Sequence, residues 1–293
     1  MSFLRTVNNL CEAKLKELNF GGKFFSSHIL CNSFIAGGAI ISVSKEEKIK
    51  DYDLFVTKGT SAVTLFNSLV QRVPGGSSFQ LEVTKDEKNP NLERGTLKSV
   101  VVGWPPENVK SLEDQIDEFN QNCKSFKTSG RSHKVVPAYL SKNALTLNNG
   151  IQLIFRFIGE PKEVFTTFDY EHCKVYWRPN PLGLLLGTVT YEGRSQESIA
   201  KNELIYTGNT RFVLSAVSRL NKFIKRGWGI SPSSLLSLAV SSSKVDWANR
   251  QALEEELLGI YGIENKTLKQ ILEMCSTEDK VDLDKVVQVL GEV

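Results

Sequence analysis

The sequence has few of the residues that form disulfides, zinc sites or redox centres. Its 293 residues include only five cysteines and three histidines, and no two cysteines have the CxxC spacing of a zinc or redox motif. We therefore expect reduced thiols and a cytoplasmic location. No apolar run reaches the length of a membrane span, and the first residues lack the apolar segment of a secretory leader, so we expect no membrane partner.

A strong excess of charge is also missing. The formal net charge is +3, which permits a local nucleic-acid contact but does not require one. Hydrophobic residues make up 41% and charged residues 24% of the chain, which are ordinary values for a globular protein. We find no internal repeat and no low-complexity tail. Composition alone therefore predicts a folded protein and leaves its function open.

A diglycine follows the first short apolar run. Asn32–Ala36 predicts a strand, Gly37-Gly38 a turn, and Ala39–Val43 a short helix. Glycines at such a turn let backbone N–H groups approach a phosphate, and a helix N-terminus adds partial positive charge. The alternative is that the two glycines simply turn the backbone.

Two aspartates then begin a second apolar strand, DYDLFV. Asp51 and Asp53 are two residues apart, so alternation along a strand places their carboxylates on the same face. Two neighbouring negative charges repel each other unless a cation or solvent lies between them, and Mg²⁺ prefers such oxygen ligands. In the alternative interpretation both aspartates are solvated at the start of the strand.

The diglycine followed by DxD resembles the signature of the polymerase-β-type nucleotidyltransferase superfamily. This resemblance implies that Gly37 and Gly38 hold a nucleoside triphosphate and that Asp51 and Asp53 bind Mg²⁺ or Mn²⁺. Ala39 departs from the serine that often follows the diglycine, and no Arg-Asp pair follows within Ile40–Ser44, which argues against the CCA-adding branch specifically. The resemblance also implies a third carboxylate on a later strand.

Asp169 is the candidate for that third carboxylate. The segment Ile151–Trp177 resembles nucleotidyltransferase-like proteins of bacteriophages and large DNA viruses, in which an apolar strand and a proline-started helix precede an FD motif. We expect a hairpin at Asn148–Gly150, a short helix at Pro161–Phe168, and a strand at Asp169–Trp177 that Asp169 leads. Alternatively, Asp169 caps a turn.

Residues 74–137 change in composition and predict an insertion or arm on the core. The segment is rich in Gly, Pro and polar residues, and it contains one short strand, Leu97–Val102, and one acidic helix, Val109–Asn120. A basic run follows the helix and favours either nucleic-acid contact or a solvated loop. Its members are Lys124, Lys127, Arg131, His133 and Lys134, with Phe126 among them.

The last third of the sequence predicts helices. Thr210–Gly227 carries an apolar stripe with Val213, Ala216, Val217, Leu220, Phe223 and Ile224. A second stripe predicts a cationic ridge that binds phosphates or nucleic acid, or else a solvated face. The ridge contains Arg211, Arg219, Lys222 and Arg226. Shorter helices are expected at Leu235–Val240, Asp246–Tyr261, Asn265–Cys275 and Asp282–Leu290.

The sequence thus predicts an α+β protein with a nucleotidyltransferase-like mixed sheet flanked by helices. We expect a core over residues 1–206 and a helical domain over residues 207–293. The leading hypothesis is a metal-dependent transfer of a nucleoside monophosphate from an NTP to a hydroxyl of RNA, tRNA, a protein or a small molecule. The alternative is an inactive member of the same fold that binds nucleic acid or belongs to a virion. Location in the host cytoplasm or in a virion would suit a viral protein.

Overall fold

Alternating apolar strands and tight turns fold much of the chain around one mixed sheet. The computed structural model describes residues 3–18, 31–100, 110–126, 135–180, 187–210 and 212–258. These residues belong to two compact units. The first unit comprises Met1–Thr166 and Cys173–Ser195, and the second comprises Thr167–His172 and Gln196–Val293. The predicted domains 1–206 and 207–293 stay a prediction, and the compact units change over at Ser195.

The first unit contains five helices and nine strands within the part of the chain that the structure describes. In chain order they are α1 (Phe3–Glu17), β1 (Ser33–Ala36), α2 (Gly38–Ser44), β2 (Tyr52–Val56), α3 (Gly59–Val70), β3 (Phe79–Lys85), β4 (Glu93–Ser99), α4 (Leu112–Ser125), β5 (Pro137–Leu140), β6 (Ala144–Leu147), β7 (Ile151–Ile154), α5 (Pro161–Phe165), β8 (Val175–Arg178) and β9 (Thr188–Tyr191).

Seven of these strands form the central sheet, in the order β5-β6-β7-β2-β1-β8-β9. Strands β2 and β7 run parallel, and the other five neighbouring pairs run antiparallel. The mixed sheet with flanking helices confirms the predicted α+β class. It also places β1 and β2, which carry the diglycine and the DxD motif, in the middle of the sheet.

One face of the sheet forms the main core. Its residues in register are all buried, and burying a side chain of this size stabilises the fold by about 1.5–3 kcal/mol. They are Leu145, Leu153, Leu54, Ile35 and Trp177. The indole N–H of Trp177 donates to Oδ1 of Asn8 in α1 at 2.6 Å. Burial raises the pKa of the Cys11 thiol in the same helix to about 12, so this thiol stays protonated at neutral pH.

The hairpin predicted at Asn148–Gly150 joins β6 and β7. Gly150 has a φ of 87°, a value that glycine adopts without the steric penalty of a Cβ atom. The amide N–H of Tyr52, at the start of β2, donates to the carbonyl oxygen of Gly150 at 2.8 Å. The turn therefore brings the start of β7 beside the start of β2.

The region predicted as an insertion contains a hairpin that the sequence interpretation missed. Strands β3 and β4 pair over seven residues each, and the predicted strand Leu97–Val102 is in fact Glu93–Ser99. Alternation at Phe79 and Leu81 was present, but the charged turn after β3 obscured it. The acidic helix is confirmed as α4. Lys127, Arg131, His133 and Lys134 of the basic run lie outside the described residues.

The second unit is largely helical. Its elements are α6 (Ser195–Lys201), β10 (Glu203–Leu204), α7 (Val213–Ile224), β11 (Gly229–Ile230), α8 (Pro232–Ser242) and α9 (Arg250–Leu258). The predicted helices at Asn265–Cys275 and Asp282–Leu290 lie outside the described residues. None of the helices in the described part of the chain has the length and apolar character needed to cross a membrane.

The predicted strand Asp169–Trp177 is wrong over its first half. The strand is β8 and begins at Val175, and a 3₁₀ turn occupies Glu171–Cys173. The backbone before that turn pairs elsewhere in the second unit: the amide N–H of Glu171 donates to the Ile205 carbonyl at 2.9 Å, and the amide N–H of Thr207 donates to the Asp169 carbonyl at 2.9 Å. These bonds remove the segment from the central sheet.

The apolar stripe predicted on α7 is only partly buried. Val213, Ala216 and Phe223 are buried, but Val217 and Ile224 are 42% and 48% exposed. Helix α7 ends at Ile224, so Arg226 follows the helix. Arg211 lies outside the described residues.

Glu256 of α9 fixes the beginning of α7. Its buried carboxylate accepts the amide N–H of Leu214 at 2.9 Å, where Phe212 at the helix start provides no side-chain acceptor. Such a contact satisfies one of the free N–H groups of a helix N-terminus. Burial raises the pKa of Glu256 above its usual value of 4.5.

We predict that Glu256→Gln flattens the pH dependence of stability. Because the folded-state pKa is raised, the folded chain binds the proton more tightly, and this stabilising contribution is lost as pH rises from about 4.5 through the raised pKa. Glutamine still accepts from Leu214 but does not titrate. Urea denaturation between pH 4 and pH 7 should show a smaller decline for Glu256→Gln than for the wild type. An exposed carboxylate on α4 provides the control, since Asp117→Asn should keep the wild-type profile; equal profiles for all three proteins would contradict the prediction.

Candidate functional site

The second face of the central sheet carries a transverse row of residues in register across six strands. The row begins in β6, crosses β7, β2, β1 and β8, and ends in β9, and most of its members are polar and half-buried. Its members are Thr146, Gln152, Asp53, Ala36, Tyr176 and Thr190. Residues in register across a sheet project from the same face. This face can therefore present several polar groups to one ligand.

Asp53 lies at the centre of the transverse row. It pairs with Ala36 of β1 on one side and with Gln152 of β7 on the other. Asp51 lies one residue before β2 and is exposed, whereas Asp53 is half-buried within the strand. Alternation along the extended chain directs both carboxylates to the face of the row.

The diglycine turn starts directly after Ala36. Gly37 has a φ of 71°, and its amide N–H donates to the Val175 carbonyl of β8 at 2.9 Å. No side chain caps the start of α2. A Cβ atom added to Gly38 would have no neighbour within 4 Å, so the space beside this residue is open. The structure therefore confirms the predicted strand, turn and helix, and it brings the turn next to Asp53.

Aromatic rings lie against the transverse row. Phe34 stacks on Phe55 with 5.3 Å between ring centroids and meets Tyr176 edge-on at 5.7 Å, and Phe165 of α5 also packs on Tyr176 at 5.9 Å. These contacts fix the ring of Tyr176, which is half-buried beside Ala36. A fixed aromatic ring near a glycine turn can stack on a planar group such as a nucleobase.

Asp169, the predicted third carboxylate, lies in the second unit and forms an ion pair with Arg219. Its side chain is 4% exposed and that of Arg219 is 38% exposed. The structure thus joins a predicted metal ligand to a predicted phosphate partner. An arginine here offsets the free energy of burying the Asp169 carboxylate. Burial raises the pKa of the nearby Tyr206 phenol, and the negative charge of Asp169 adds to this effect.

The other two residues of the predicted cationic ridge have different surroundings. Lys222 is exposed on α7, whereas Arg226 follows the helix with its guanidinium carbon 5.8 Å from the centroid of the Phe223 ring. Burial, together with a smaller effect of the positive charge of Arg226, lowers the pKa of His172 to about 3. His172 is therefore neutral at physiological pH. It packs among aromatic rings, including Phe223 at 4.3 Å and Trp228 at 4.4 Å.

Among the residues that the structure describes, no three His, Cys, Asp or Glu side chains lie close enough together to hold a metal ion. The set of Asp51, Asp53 and Asp169 therefore stays a prediction, with its first two members in one unit and the third in the other. The pair alone still suits Mg²⁺, which proteins commonly bind with one or two carboxylates together with waters and substrate phosphates.

Sequence interpretation missed four members of the transverse row: Thr146, Gln152, Tyr176 and Thr190. A signal for Gln152 was present, because it alternates with Ile151 and Leu153 directly after the predicted hairpin turn. The sequence does not show which strand lies next to β2, because β2 and its partner β7 are far apart in the chain.

We predict that Arg219→Ala destabilises the protein by leaving the buried Asp169 carboxylate without its cation. Because Arg219 is partly exposed, we expect a loss of about 1–3 kcal/mol in the free energy of unfolding. The double variant Asp169→Asn/Arg219→Ala should recover part of that loss, since it removes both charges. Urea denaturation measures all three values. Lys222→Ala, an exposed change on the same helix, is the control, and an equal effect of Arg219→Ala and Lys222→Ala would show that the pair does not stabilise the fold.

Comparison with solved structures finds enzymes that process tRNA, at low similarity. The Thermotoga maritima CCA-adding enzyme complexed with tRNA is 13% identical with a TM-score of 0.40, over 89% of this chain and 52% of that one. A CCA-adding enzyme in complex with ATP is 13% identical with a TM-score of 0.43, over 94% and 53%. A tRNA-processing enzyme in an apo form is 12% identical with a TM-score of 0.44, over 91% and 63%. The chain spans about half the length of these CCA-adding enzymes.

Comparison with protein families gives a match over more than half of the sequence. No curated protein matches the chain. A family model described as Gad2, Gabija anti-defense 2 family protein, matches residues 12–186, which is more than half of the 293 residues. The match includes the diglycine turn, both aspartates of the DxD motif and the whole transverse row except Thr190. The chain therefore belongs to the Gabija anti-defense 2 family.

Proposed function

We propose that the protein is a metal-dependent nucleotidyltransferase that moves a nucleoside monophosphate from an NTP to a hydroxyl acceptor. One observation carries this proposal: Ala36, the last residue before the diglycine turn, is in register with Asp53 of the DxD motif. A turn with open space for a phosphate thus lies beside a carboxylate pair that suits a divalent cation.

Each part of the site has a proposed role. Asp51 and Asp53 would hold Mg²⁺ or Mn²⁺, and Gly37 and Gly38 would let backbone N–H groups approach the triphosphate. A bound divalent cation supplies positive charge that neutralises the phosphate oxygens during transfer. Asp169 is proposed as the third carboxylate, which would orient the acceptor hydroxyl or take its proton.

Arg219, Lys222 and Arg226 are proposed as partners of the triphosphate. Lys222 is exposed and needs no rearrangement to meet an anion. Arg219 would exchange the Asp169 carboxylate for a phosphate oxygen, which would also release that carboxylate for its own role. The two proposals for Asp169 and Arg219 are therefore linked.

The acceptor and the biological setting are proposed from the comparisons. Similar solved structures include a CCA-adding enzyme with tRNA and one with ATP, so RNA and ATP are the first acceptor and donor to test. The family description suggests that transfer counteracts Gabija defence, with a protein or nucleic acid as the modified target. Such a role would place the protein in the cytoplasm of an infected cell, in keeping with the predicted viral relationship.

A second candidate is a binding protein that keeps the nucleotidyltransferase fold without its chemistry. The ion pair between Asp169 and Arg219 favours this candidate, because each side chain satisfies the charge of the other. So does the finding that the described residues contain no group of three acidic, histidine or cysteine side chains placed for a metal. In this case the protein would bind nucleic acid or a virion component through the surface that carries the candidate site.

We predict that Asp53→Asn lowers nucleotidyl transfer at least about a hundredfold, because it removes a charged ligand at the centre of the site. The measurement is incorporation of label from each of the four NTPs into total RNA and a protein lysate, with Mg²⁺ or Mn²⁺. Asp117→Asn, an exposed change on α4, is the matched control and should keep the wild-type rate. No incorporation by the wild type under any of these conditions would favour the binding protein over the enzyme.

A further inference from the structure

Gln152 occupies the position next to Asp53 in the transverse row. Strands β2 and β7 run parallel here, and Asp53 and Gln152 are partners in the register. Neighbouring strands lie about 4.8 Å apart, so the two side chains rise side by side from the same face. Both are half-buried. A ligand held by the Asp53 carboxylate is therefore within reach of the Gln152 amide.

Thr146 orients the amide of Gln152. The amide nitrogen Nε2 donates to the hydroxyl oxygen Oγ1 of Thr146 at 3.2 Å. Thr146 belongs to β6, which lies on the opposite side of β7 from β2. Because the nitrogen is engaged towards β6, the amide oxygen Oε1 is the atom left for the β2 side, where Asp53 lies.

This orientation places two hydrogen-bond acceptors next to each other. A carboxylate oxygen and an amide oxygen are both acceptors, so one cation can bind the two together. Hard divalent cations bind carboxylate and amide oxygens alike. Asp51 and Asp53 together carry two negative charges, which balance the charge of one such cation, and a neutral third oxygen adds a ligand without adding further repulsion.

We propose that Gln152 is the third oxygen ligand of the divalent cation held by Asp51 and Asp53, with Thr146 as the residue that positions its amide. This inference rests on the proposed function, since it concerns the same site, and it completes a set of three oxygen ligands within the first unit. This set requires no third acidic side chain from the described residues, in which no three His, Cys, Asp or Glu side chains are placed to hold a metal ion. The neutral amide binds the cation but cannot act as a base.

The test measures Mn²⁺ binding to the full chain without nucleotide, by titration calorimetry or by electron paramagnetic resonance. Gln152→Met keeps the length of the side chain and removes the oxygen, and the Kd for Mn²⁺ should rise about tenfold. Gln152→Glu replaces the neutral oxygen with a charged one, and the Kd should fall by a similar factor. Tighter binding by Gln152→Glu cannot result from a loss of folding.

Matched variants complete the experiment. Gln80→Met makes the same change at an exposed position of β3 and should leave the Kd unchanged. Thr146→Val removes the hydroxyl that orients the amide and should weaken binding less than Gln152→Met does. Asp53→Asn should abolish binding, which shows that the measured ion occupies this site. A wild-type Kd for both Gln152 variants, or no Mn²⁺ binding by the wild type, would overturn the inference.

The two proposals fail in different ways. If Mn²⁺ binds and responds to the Gln152 variants but no NTP is transferred, the ligand assignment stands and the nucleotidyltransferase proposal fails. If transfer depends on Asp53 while Mn²⁺ binding ignores Gln152, the enzyme proposal stands and the assignment of Gln152 is wrong.

Discussion

The register between β1 and β2 is the constraint on which the candidate site depends. Ala36 pairs with Asp53, so the chain leaves β1 into the diglycine turn directly beside the carboxylate. A slip of one residue would send Asp53 to the opposite face, where Leu54 and Ile35 are buried. Burial of that apolar face therefore holds the polar face in place. Stability and site geometry have the same physical cause here.

In the second unit, an ion pair compensates a buried charge. Asp169 is almost completely buried, and its partner Arg219 compensates for the loss of water around the carboxylate. Its backbone is held as well, since its carbonyl accepts the amide N–H of Thr207. Asp51, in the first unit, is instead exposed. The ion pair favours a fixed carboxylate, whereas an exposed carboxylate can exchange water for a ligand.

Local patterns in the sequence predicted much of the fold. The strand, diglycine turn and helix of Ser33–Ser44, the DxD strand and the hairpin at Gly150 all follow from alternation and turn chemistry within a few residues. The candidate site was likewise predictable only where its residues lie close together in the sequence, as in the diglycine and DxD motifs. Gln152 became visible once β7 was seen to pair with β2, and the pairing of Asp169 with Arg219 joins residues far apart in the chain. The strand wrongly predicted to begin at Asp169 has the same origin, because hydrogen bonds to residues 205 and 207 decide its conformation.

The parallel pairing of β2 with β7 has a consequence for the order of events in biosynthesis. Asp53 leaves the ribosome long before Gln152, and the β3–β4 hairpin and α4 are synthesised between them. Until β7 is synthesised and pairs with β2, the N–H and C=O groups along that edge of β2 therefore have no strand partner. Contacts between distant residues form slowly, and an open strand edge invites pairing with other chains. Newly made chains of this protein are thus most exposed to aggregation in the interval before the two halves of the row meet.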